Sequence, residues 1–262
     1  MQRSIITICA AVVGFLFFAS PRVFDPHADA AGFKSIFNGK DLTGWEGDPK
    51  YWSVVDGAIT GTTDGKMTYN RFLIWRAGTL RNFELICEVR MEGGNSGIQY
   101  RSRQLPDVGE FVMAGYQCDM VSDRPDYHGM LYEERGRGLL AHTFEKTIID
   151  PKGNKWVIGH LPEAPPVDVS KWHEFHLTVK GNHHVHKVNG KVTADVTDFQ
   201  DEKRALSGLL GFQVHAGPPM RVQFRNIRIR ELPDSPLIKF KDSMVPAGAE
   251  KVLPPGPPKQ KK

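Results

Sequence analysis

Residues 83–91 have the sequence FELICEVRM, in which Phe, Leu, Cys, Val and Met take every second position and Glu, Ile, Glu and Arg stand between them. Successive side chains of a β-strand point to opposite faces of its sheet, so a period of two predicts a strand with one buried face. Residues 172–179, with the sequence WHEFHLTV, alternate in the same way. Both stretches therefore predict strands that pack one face against a hydrophobic core.

Turn residues separate such strand-like segments along the chain. Asn189-Gly190 and Asp56-Gly57 each stand between two short runs that are typical of strands. Both dipeptides supply the two positive φ angles that a type I′ hairpin turn requires. The sequence therefore predicts antiparallel hairpins at these two places.

The alternation changes phase near the end of the core. Residues 222–224 and residues 227–229 follow opposite phases, which predicts a β-bulge near Arg225-Asn226. No long run has a clean apolar helical face, no βαβ alternation occurs, and no repeat of a propeller or solenoid is visible. The pattern predicts an all-β, antiparallel β-sandwich formed as a single domain.

The first 30 residues have the features of an export signal. Arg3 precedes an apolar stretch over residues 5–19, which is shorter than a membrane-spanning helix needs. Small residues at Ala28 and Ala30 predict cleavage after residue 30, with a cut near residues 19–20 or an uncleaved anchor as the alternatives. We expect a periplasmic or secreted protein with no stable membrane span once the signal is removed.

Residues 233–262 are rich in Pro, Gly and Lys and have no sustained apolar period, so we predict a disordered tail after a domain of residues 31–232. The chain has a net charge of +4. Six lysines of the tail against Asp234, Asp242 and Glu250 account for +3 of it. A basic charge confined to a tail is weak support for nucleic-acid binding, so we predict no nucleic-acid partner.

The cysteines and histidines give little support for a metal or a cofactor, and we predict neither. Cys87 and Cys118 lie in strand-like runs, where buried free thiols and a disulfide are both open possibilities. No zinc-type spacing occurs. His183, His184 and His186 cluster beside the Asn-Gly hairpin, where we expect a surface position without a carboxylate partner, so we do not favour them as ligands.

Several blocks of the sequence resemble the 3-keto-disaccharide hydrolase family, in the family's order and over nearly the whole core. The blocks are residues 33–45, 52–59, 95–101, 115–120, 129–133 and 224–229. The resemblance implies a concanavalin A-like jelly-roll β-sandwich with a carbohydrate cleft on its concave sheet. It also implies a small-molecule carbohydrate substrate, a glycoside whose glucose C3 hydroxyl has been oxidised to a ketone.

The sequence departs from the family pattern in one block. Where the family commonly has Glu after the Tyr and Gln two positions later, this chain has Gln117 and Asp119. Residues two apart on a strand share a face, so the carboxylate is expected to face the same way. The departure places any role of the family's Glu in doubt.

A ketone at C3 acidifies the C2 proton, so a base can remove that proton and expel the group at C1 by β-elimination; later addition of water gives net hydrolysis. This chemistry needs a base, an acid and hydrogen-bond donors for the enolate. The matched blocks and the strand end at residue 215 supply candidate acids and bases, which are Asp119, His215, Glu133 and Asp123. They also supply candidate substrate-binding residues, which are Asn95, Arg101, Gln117, Tyr132 and Gln213.

Each candidate also has a structural interpretation. Asn95 could form a turn, Asp123 could cap a loop, and His215 could be a structural histidine. Arg101 could lie on a solvated strand surface, Glu133 could belong to an exposed turn, and Asp119 could be tied to an arginine. If the functional interpretation holds, five residues converge on one concave face, which are Asn95, Arg101, Gln117, Asp119 and His215. A non-catalytic carbohydrate-binding module and an ordinary two-carboxylate glycosidase remain the alternatives.

Overall fold

The computed structural model describes residues 31–253, and their regular structure is almost entirely β. The strands are β1 (Lys34–Ser35), β2 (Trp45–Glu46), β3 (Trp52–Val55), β4 (Ala58–Thr63), β5 (Arg71–Leu80), β6 (Phe83–Glu92), β7 (Asn95–Gln104), β8 (Met113–Val121), β9 (Leu131–Glu134), β10 (Gly138–Ala141), β11 (Glu145–Ile149), β12 (Lys155–His160), β13 (His173–Lys180), β14 (His183–Val188), β15 (Lys191–Asp198), β16 (Gly208–Val214), β17 (Met220–Glu231) and β18 (Glu250–Lys251). Short 3₁₀ turns occupy Pro125–Tyr127 and Asp242–Met244. No helix within residues 31–253 has the length and apolarity to cross a bilayer.

These strands form two sheets. The large sheet has the order β18-β12-β11-β15-β14-β13-β6-β17-β4-β3, with β1 paired to β17. The small sheet has the order β10-β9-β8-β7-β16-β5-β2. The strand pairs are antiparallel except for β11 and β15, which run parallel. The predicted all-β jelly-roll sandwich is confirmed.

The hydrophobic core lies between the two sheets. Strand β6, whose alternation predicted the fold, pairs with β13 on one side and with β17 on the other. Its Leu85 and Cys87 are fully buried. Phe224 of the large sheet stacks on Phe212 of the small sheet, with ring centroids 3.9 Å apart. Contacts of this kind join the two layers because each sheet turns its apolar residues toward the other.

Both predicted hairpin turns are present. Asp56 and Gly57 have φ angles of 51° and 72°, and Asn189 and Gly190 have φ angles of 49° and 75°. These are the left-handed conformations that a type I′ turn requires. The predicted bulge is also confirmed, because the register of β17 against β6 shifts between residues 225 and 228.

The structure shows the state of the two cysteines and the position of two of the histidines. Cys87 and Cys118 are both buried free thiols. His184 and His186 lie in the core rather than at the surface, and the earlier expectation was wrong because their side chains point inward from β14. The Tyr100 hydroxyl lies 2.8 Å from His186 Nε2 and 3.1 Å from His184 Nδ1, which makes both buried rings part of a hydrogen-bonded network.

The segment after residue 232 packs on the sandwich. The Ile238 amide donates to Asn182 Oδ1 at 2.9 Å, the Phe240 ring lies 5.2 Å from that of Phe199, and β18 pairs with β12. Hydrogen bonds and one aromatic contact hold this segment. Contacts of this kind do not need an apolar period, so the sequence pattern did not predict the packing. The expectation of a disordered tail therefore does not hold for residues 233–253. The rest of the predicted tail and the predicted signal lie outside the described residues.

Candidate functional site

One face of the small sheet points away from the core and carries a cavity. Cross-strand pairing places Gln117 between Gln99 and Tyr132, and it places Asp119 opposite Gly97. Directly paired residues of antiparallel strands share a face, so these polar groups collect on the concave side. The cavity has a volume of about 330 Å³ and is lined by Asn95, Gln117, Asp119, Val121, Asp123, Arg124, Tyr127, Met130, Tyr132, Glu134 and His215.

The cavity occupies only one end of this face. Phe72 and Ile74 of β5 form an apolar cluster with Met113, and they pair with Gln213 and Gly211 of β16. A Cβ at Gly211 would meet the Met113 sulfur at 2.5 Å, so the glycine lets the methionine lie flat on the sheet. The cluster closes the middle of the concave face and leaves the end around Asp119 open.

Asp119 is a carboxyl group of the cavity whose pKa is raised by burial. It is 4% exposed, and its Oδ1 accepts a hydrogen bond from Gln117 Nε2 at 2.8 Å. Burial raises the pKa of Asp119 to about 7, with a further upward contribution from the charge of Glu134, while the bond from Gln117 acts in the opposite direction. A group with this pKa can give up or accept a proton near neutral pH.

Amide side chains form a layer beneath Asp119. Gln213 is fully buried, and its Oε1 lies 3.3 Å from Gln117 Nε2. Gln213 therefore does not line the cavity, in contrast to its predicted role as a substrate-binding residue, and it supports Gln117 from below. The Oε1 atom of Gln117 is buried and has no hydrogen-bond partner among the described residues.

Glu134 lines the cavity, although the sequence interpretation selected its neighbour Glu133. Its Oε1 accepts a hydrogen bond from Asn70 Nδ2 at 2.9 Å, and Asn70 Oδ1 in turn accepts one from the amide of Ala216 at 2.9 Å. A signal for Glu134 was present in the sequence, because residues two apart on a strand share a face and Tyr132 was already a candidate.

His215 lies at the end of β16 beside this carboxylate. Its Nδ1 contacts the carbonyl oxygen of Ala216 and donates a hydrogen bond to it, because a carbonyl oxygen only accepts hydrogen bonds. His215 also lines the cavity together with Asp119 and Glu134.

The segment before β9 forms one wall of the cavity. Arg124 pairs with Asp126 at 3.1 Å, and its guanidinium lies 3.9 Å from the centroid of the Tyr127 ring. Both contacts join residues within this turn to the arginine that precedes it. Asp123 precedes the turn at an exposed position of the rim and makes no ion pair with any described residue.

The structure does not bring Arg101 into the cavity. Arg101 has a φ of 46° at a shift in register between β7 and β8, and this irregularity turns its side chain away from the concave face. Its guanidinium is buried, where it donates to the Gly181 carbonyl at 2.6 Å and to the Arg81 carbonyl at 2.7 Å. The predicted convergence on one face therefore holds for the other four residues and fails for Arg101.

Glu133 also lies outside the cavity. It occupies the opposite face of β9 from Tyr132, and its Oε2 accepts a hydrogen bond from Arg137 Nε at 2.6 Å. Arg137 also pairs with the buried Asp198 at 2.7 Å. These bonds indicate a structural role for Glu133, which corrects its selection as an acid or base.

Within residues 31–253 no group of three His, Cys, Asp or Glu side chains is arranged to hold a metal ion.

Residues 32–230 match the sequence profile of the 3-keto-alpha-glucoside-1,2-lyase-like domain. The chain belongs to this family. The assignment agrees with the resemblance drawn from the sequence blocks.

Two kinds of known protein are similar to this chain, one by sequence and the others by fold. A 3-keto-disaccharide hydrolase of Bacteroides thetaiotaomicron is 36% identical over 87 residues, a stretch that spans 29% of this chain and only 30% of that relative. A crystal structure of a proposed glycosyl hydrolase from Parabacteroides distasonis has a TM-score of 0.53 at 20% identity, covering 80% of this chain and 99% of that one. A second from the same organism has a TM-score of 0.50 at 17% identity, covering 76% and 99%. At these identities the structural likeness establishes the fold.

The departure from the lyase-like family pattern has a simple geometry. Gln117 and Asp119 lie on the same face of β8 and are hydrogen-bonded to each other. One amide and one carboxyl group are therefore in contact on this face of β8.

Proposed function

We propose that this protein is an exported enzyme that cleaves 3-keto-glucosides by β-elimination across C1 and C2. The observation that carries the proposal is the buried Asp119, whose pKa of about 7 suits proton transfer at neutral pH, in one cavity with His215. Membership of the lyase-like family supports the substrate class.

In the proposed reaction, His215 Nε2 accepts the C2 proton, and the electron pair of that C–H bond forms an enolate with the C3 ketone. The enolate then collapses to a C1–C2 double bond as the C1–O bond breaks, and the departing oxygen receives a proton from Asp119. The products are an enone derived from the glucose ring and the free alcohol of the leaving group. Addition of water across the double bond then yields 3-keto-glucose and completes a net hydrolysis.

The enolate oxygen needs hydrogen-bond donors that are already in place. Burial raises the pKa of the Tyr132 hydroxyl, which therefore keeps its proton and remains a donor. The Asn95 amide lines the same cavity, and its buried Oδ1 has no partner among the described residues. We assign these two side chains to the sugar and its enolate.

A second candidate function is an ordinary glycosidase, and one observation favours it. Asp119 and Glu134 line the same cavity, and glycosidases use two carboxyl groups. The two functions differ in substrate, because a glycosidase does not need a ketone at C3. A carbohydrate-binding module is the third possibility, and it would bind a sugar without converting it.

The deciding experiment compares methyl α-glucoside with its 3-keto derivative and follows the products by mass spectrometry. We expect conversion of the 3-keto compound alone, with loss of deuterium from a substrate labelled at C2. Cleavage of both compounds with retention of the label would identify a glycosidase. Binding without any conversion would identify a binding module.

Export is part of the proposal and rests on the signal-like residues 1–30. N-terminal sequencing of the protein isolated from its native compartment tests it. A mature chain that begins near residue 31 or near residue 20 is expected, and an intact Met1 would contradict cleavage.

A further inference from the structure

Asn70 lies beside the candidate site, although its side chain does not line the cavity. Strand β5 begins at Arg71, which pairs with Val214, the last residue of β16. Because the two strands are antiparallel, Asn70 and His215 are the next residues beyond this pair, one on each strand. The pairing therefore brings Asn70 to the end of the sheet at which His215 enters the cavity.

The Asn70 amide bonds to two neighbours, one through each of its polar atoms. Its Nδ2 donates to Glu134 Oε1 at 2.9 Å, and its Oδ1 accepts from the Ala216 amide at 2.9 Å. A carboxylate only accepts and a backbone amide only donates, so these partners fix which atom of the side chain is nitrogen and which is oxygen. A primary amide suits this position because it is neutral, donates from one atom and accepts at the other.

The bond to Ala216 bears on the orientation of the His215 ring. His215 Nδ1 donates to the Ala216 carbonyl, so Ala216 is held through its amide by Asn70 and through its carbonyl by the ring. Residues 217–219 are Gly-Pro-Pro, and the two prolines have no amide hydrogen with which to hold this loop. A neutral ring that donates from Nδ1 accepts at Nε2, the atom that takes up the C2 proton in the proposed reaction.

The bond to Glu134 bears on the proposed acid. Glu134 and Asp119 line the same cavity, and the charge of Glu134 contributes to the raised pKa of Asp119. The interaction of two charges depends on the distance between them, so its strength requires a fixed position of the Glu134 carboxylate. The bond from Asn70 Nδ2 restrains that carboxylate. One amide therefore contacts the group that tunes the acid and the loop that holds the base.

We propose that Asn70 is a positioning residue that fixes the His215 ring and the Glu134 carboxylate relative to each other. The inference rests on the proposed function, because His215 is the base and Asp119 is the acid only in that reaction. Asn70 does not line the cavity, so its loss is expected to slow proton transfer and to leave substrate binding nearly unchanged.

The first test compares Asn70→Ala with Asn38→Ala. Asn38 is a matched control, because its Nδ2 donates to Asp41 Oδ1 at 2.8 Å and its Oδ1 accepts from the Lys40 amide at 2.8 Å, but it is exposed and lies outside the cavity. The substrate is the 3-keto derivative of methyl α-glucoside. We expect Asn70→Ala to lower kcat by about tenfold to a hundredfold with KM within about threefold of wild type, because a misplaced catalytic group costs rate and not binding. Unchanged kcat, a change in KM alone, or equal losses in both variants would overturn the inference.

The second test does not depend on turnover. The ¹⁵N chemical shifts of the His215 ring, assigned by comparison with His215→Gln, report which ring nitrogen carries the proton when the ring is neutral. We expect the Nδ1–H tautomer in the wild type and in Asn38→Ala, and a mixture of tautomers in Asn70→Ala. If the wild type converts no 3-keto compound, the proposed function fails and this measurement tests the positioning alone. The same tautomer in the wild type and in Asn70→Ala would overturn the inference in either case.

Asn70→Asp separates the two bonds and also serves if Asn70→Ala does not fold. It keeps an oxygen that accepts from the Ala216 amide, so His215 should retain the Nδ1–H tautomer. It replaces the donor to Glu134 with a second negative charge, which should raise the pKa of Asp119 further. The alkaline limb of the pH–rate profile should then move to higher pH by about one unit or less. A mixed tautomer or an alkaline limb that stays in place would overturn the inference.

Discussion

Gln117 Nε2 lies 2.8 Å from Asp119 Oδ1, and this bond is the only one that a side chain among the described residues makes to the Asp119 carboxyl group. The bond stabilises the ionised form, whereas burial and the nearby charge of Glu134 stabilise the neutral form. The two tendencies leave the pKa of Asp119 at about 7, so both protonation states are populated at neutral pH. The Gln117 amide, with the backbone hydrogen bond at Met120, thus keeps the pKa of this buried acid in the range where it can transfer a proton near neutral pH.

The first prediction concerns Asp119→Asn, which keeps the size of the side chain and removes its charge. The substitution should reduce turnover of a 3-keto-glucoside by about a hundredfold or more, the usual scale of general acid–base catalysis. It should also make stability less dependent on pH. The pKa of Asp119 is raised in the folded state, so Asp119 ionises in the unfolded chain before it ionises in the folded protein. The free energy of unfolding of the wild type therefore falls as pH rises from about 4 toward about 7.

Urea unfolding of wild type and Asp119→Asn at several pH values measures this effect. The two proteins should have similar stability near pH 4, and the variant should be more stable above pH 7 by about 4 kcal/mol at most. A variant that is less stable than wild type at the higher pH would show that Asp119 is held ionised in the folded protein. Such a result would also remove it as the proposed acid.

The second prediction separates two adjacent glutamates. Glu134→Gln removes the charge that raises the pKa of Asp119, so the pKa of Asp119 should fall. If Asp119 protonates the leaving group, the alkaline limb of the pH–rate profile should move to lower pH by about one unit or less. Glu133→Gln is the matched control, because Glu133 pairs with Arg137 outside the cavity, and it should lower stability without moving that limb. A profile that moves equally in both variants would contradict the assignment.

The fold could be predicted from the sequence because its signals are local. The period of two over residues 83–91 predicts which face of the strand is buried. The dipeptides Asn189-Gly190 and Asp56-Gly57 predict the positions of two turns. The site was accessible only in part. Side chains that share a strand face with a known candidate could be grouped by parity, and correct use of parity from Tyr132 selects Glu134 instead of Glu133.

Other features depend on backbone geometry that parity cannot reveal. Arg101 has the parity of the concave face, but a shift in register and a positive φ turn it to the opposite side. His186 lies next to a hairpin turn in the sequence, but in the structure it is fully buried and its Nε2 contacts the Tyr100 hydroxyl. The 3₁₀ turn Pro125–Tyr127, which forms one wall of the cavity, lies in a loop whose path no local pattern specifies.

The third prediction follows from the buried position of Arg101. Arg101→Met removes a charged donor from the carbonyls of Gly181 and Arg81 and leaves them with fewer partners. The free energy of unfolding should fall by about 3 kcal/mol or more, while kcat of the folded enzyme is unchanged. Arg103→Met, at an exposed position two residues along the strand, should change stability by about 0.5 kcal/mol or less. A selective loss of activity in Arg101→Met at full stability would restore Arg101 as a substrate ligand.

The fourth prediction concerns acid sensitivity. Burial lowers the pKa of His186 to about 4, so the folded state opposes its protonation. The contribution of such a histidine to the free energy of unfolding is fully present above the unfolded pKa near 6.5. That contribution is lost as pH falls toward about 4. His186→Gln should therefore show a smaller loss of stability between neutral pH and about pH 4.5, by about 3 kcal/mol at most. The exposed His160→Gln serves as the control, and an equal acid loss in wild type and His186→Gln would count against this origin.

The last prediction concerns the segment that packs on the sandwich after the closing strand. A chain that ends at Leu237 lacks the bond from the Ile238 amide to Asn182, the contact between Phe240 and Phe199, and the pairing of β18 with β12. Loss of one aromatic contact and a few hydrogen bonds should cost about 2 kcal/mol, which for a domain of this size lowers Tm by roughly 4–8 °C. The reference is a chain that ends at Leu253 and keeps every described contact. Equal Tm values for the two chains would mean that these contacts contribute nothing to stability and would restore the expectation of an independent tail.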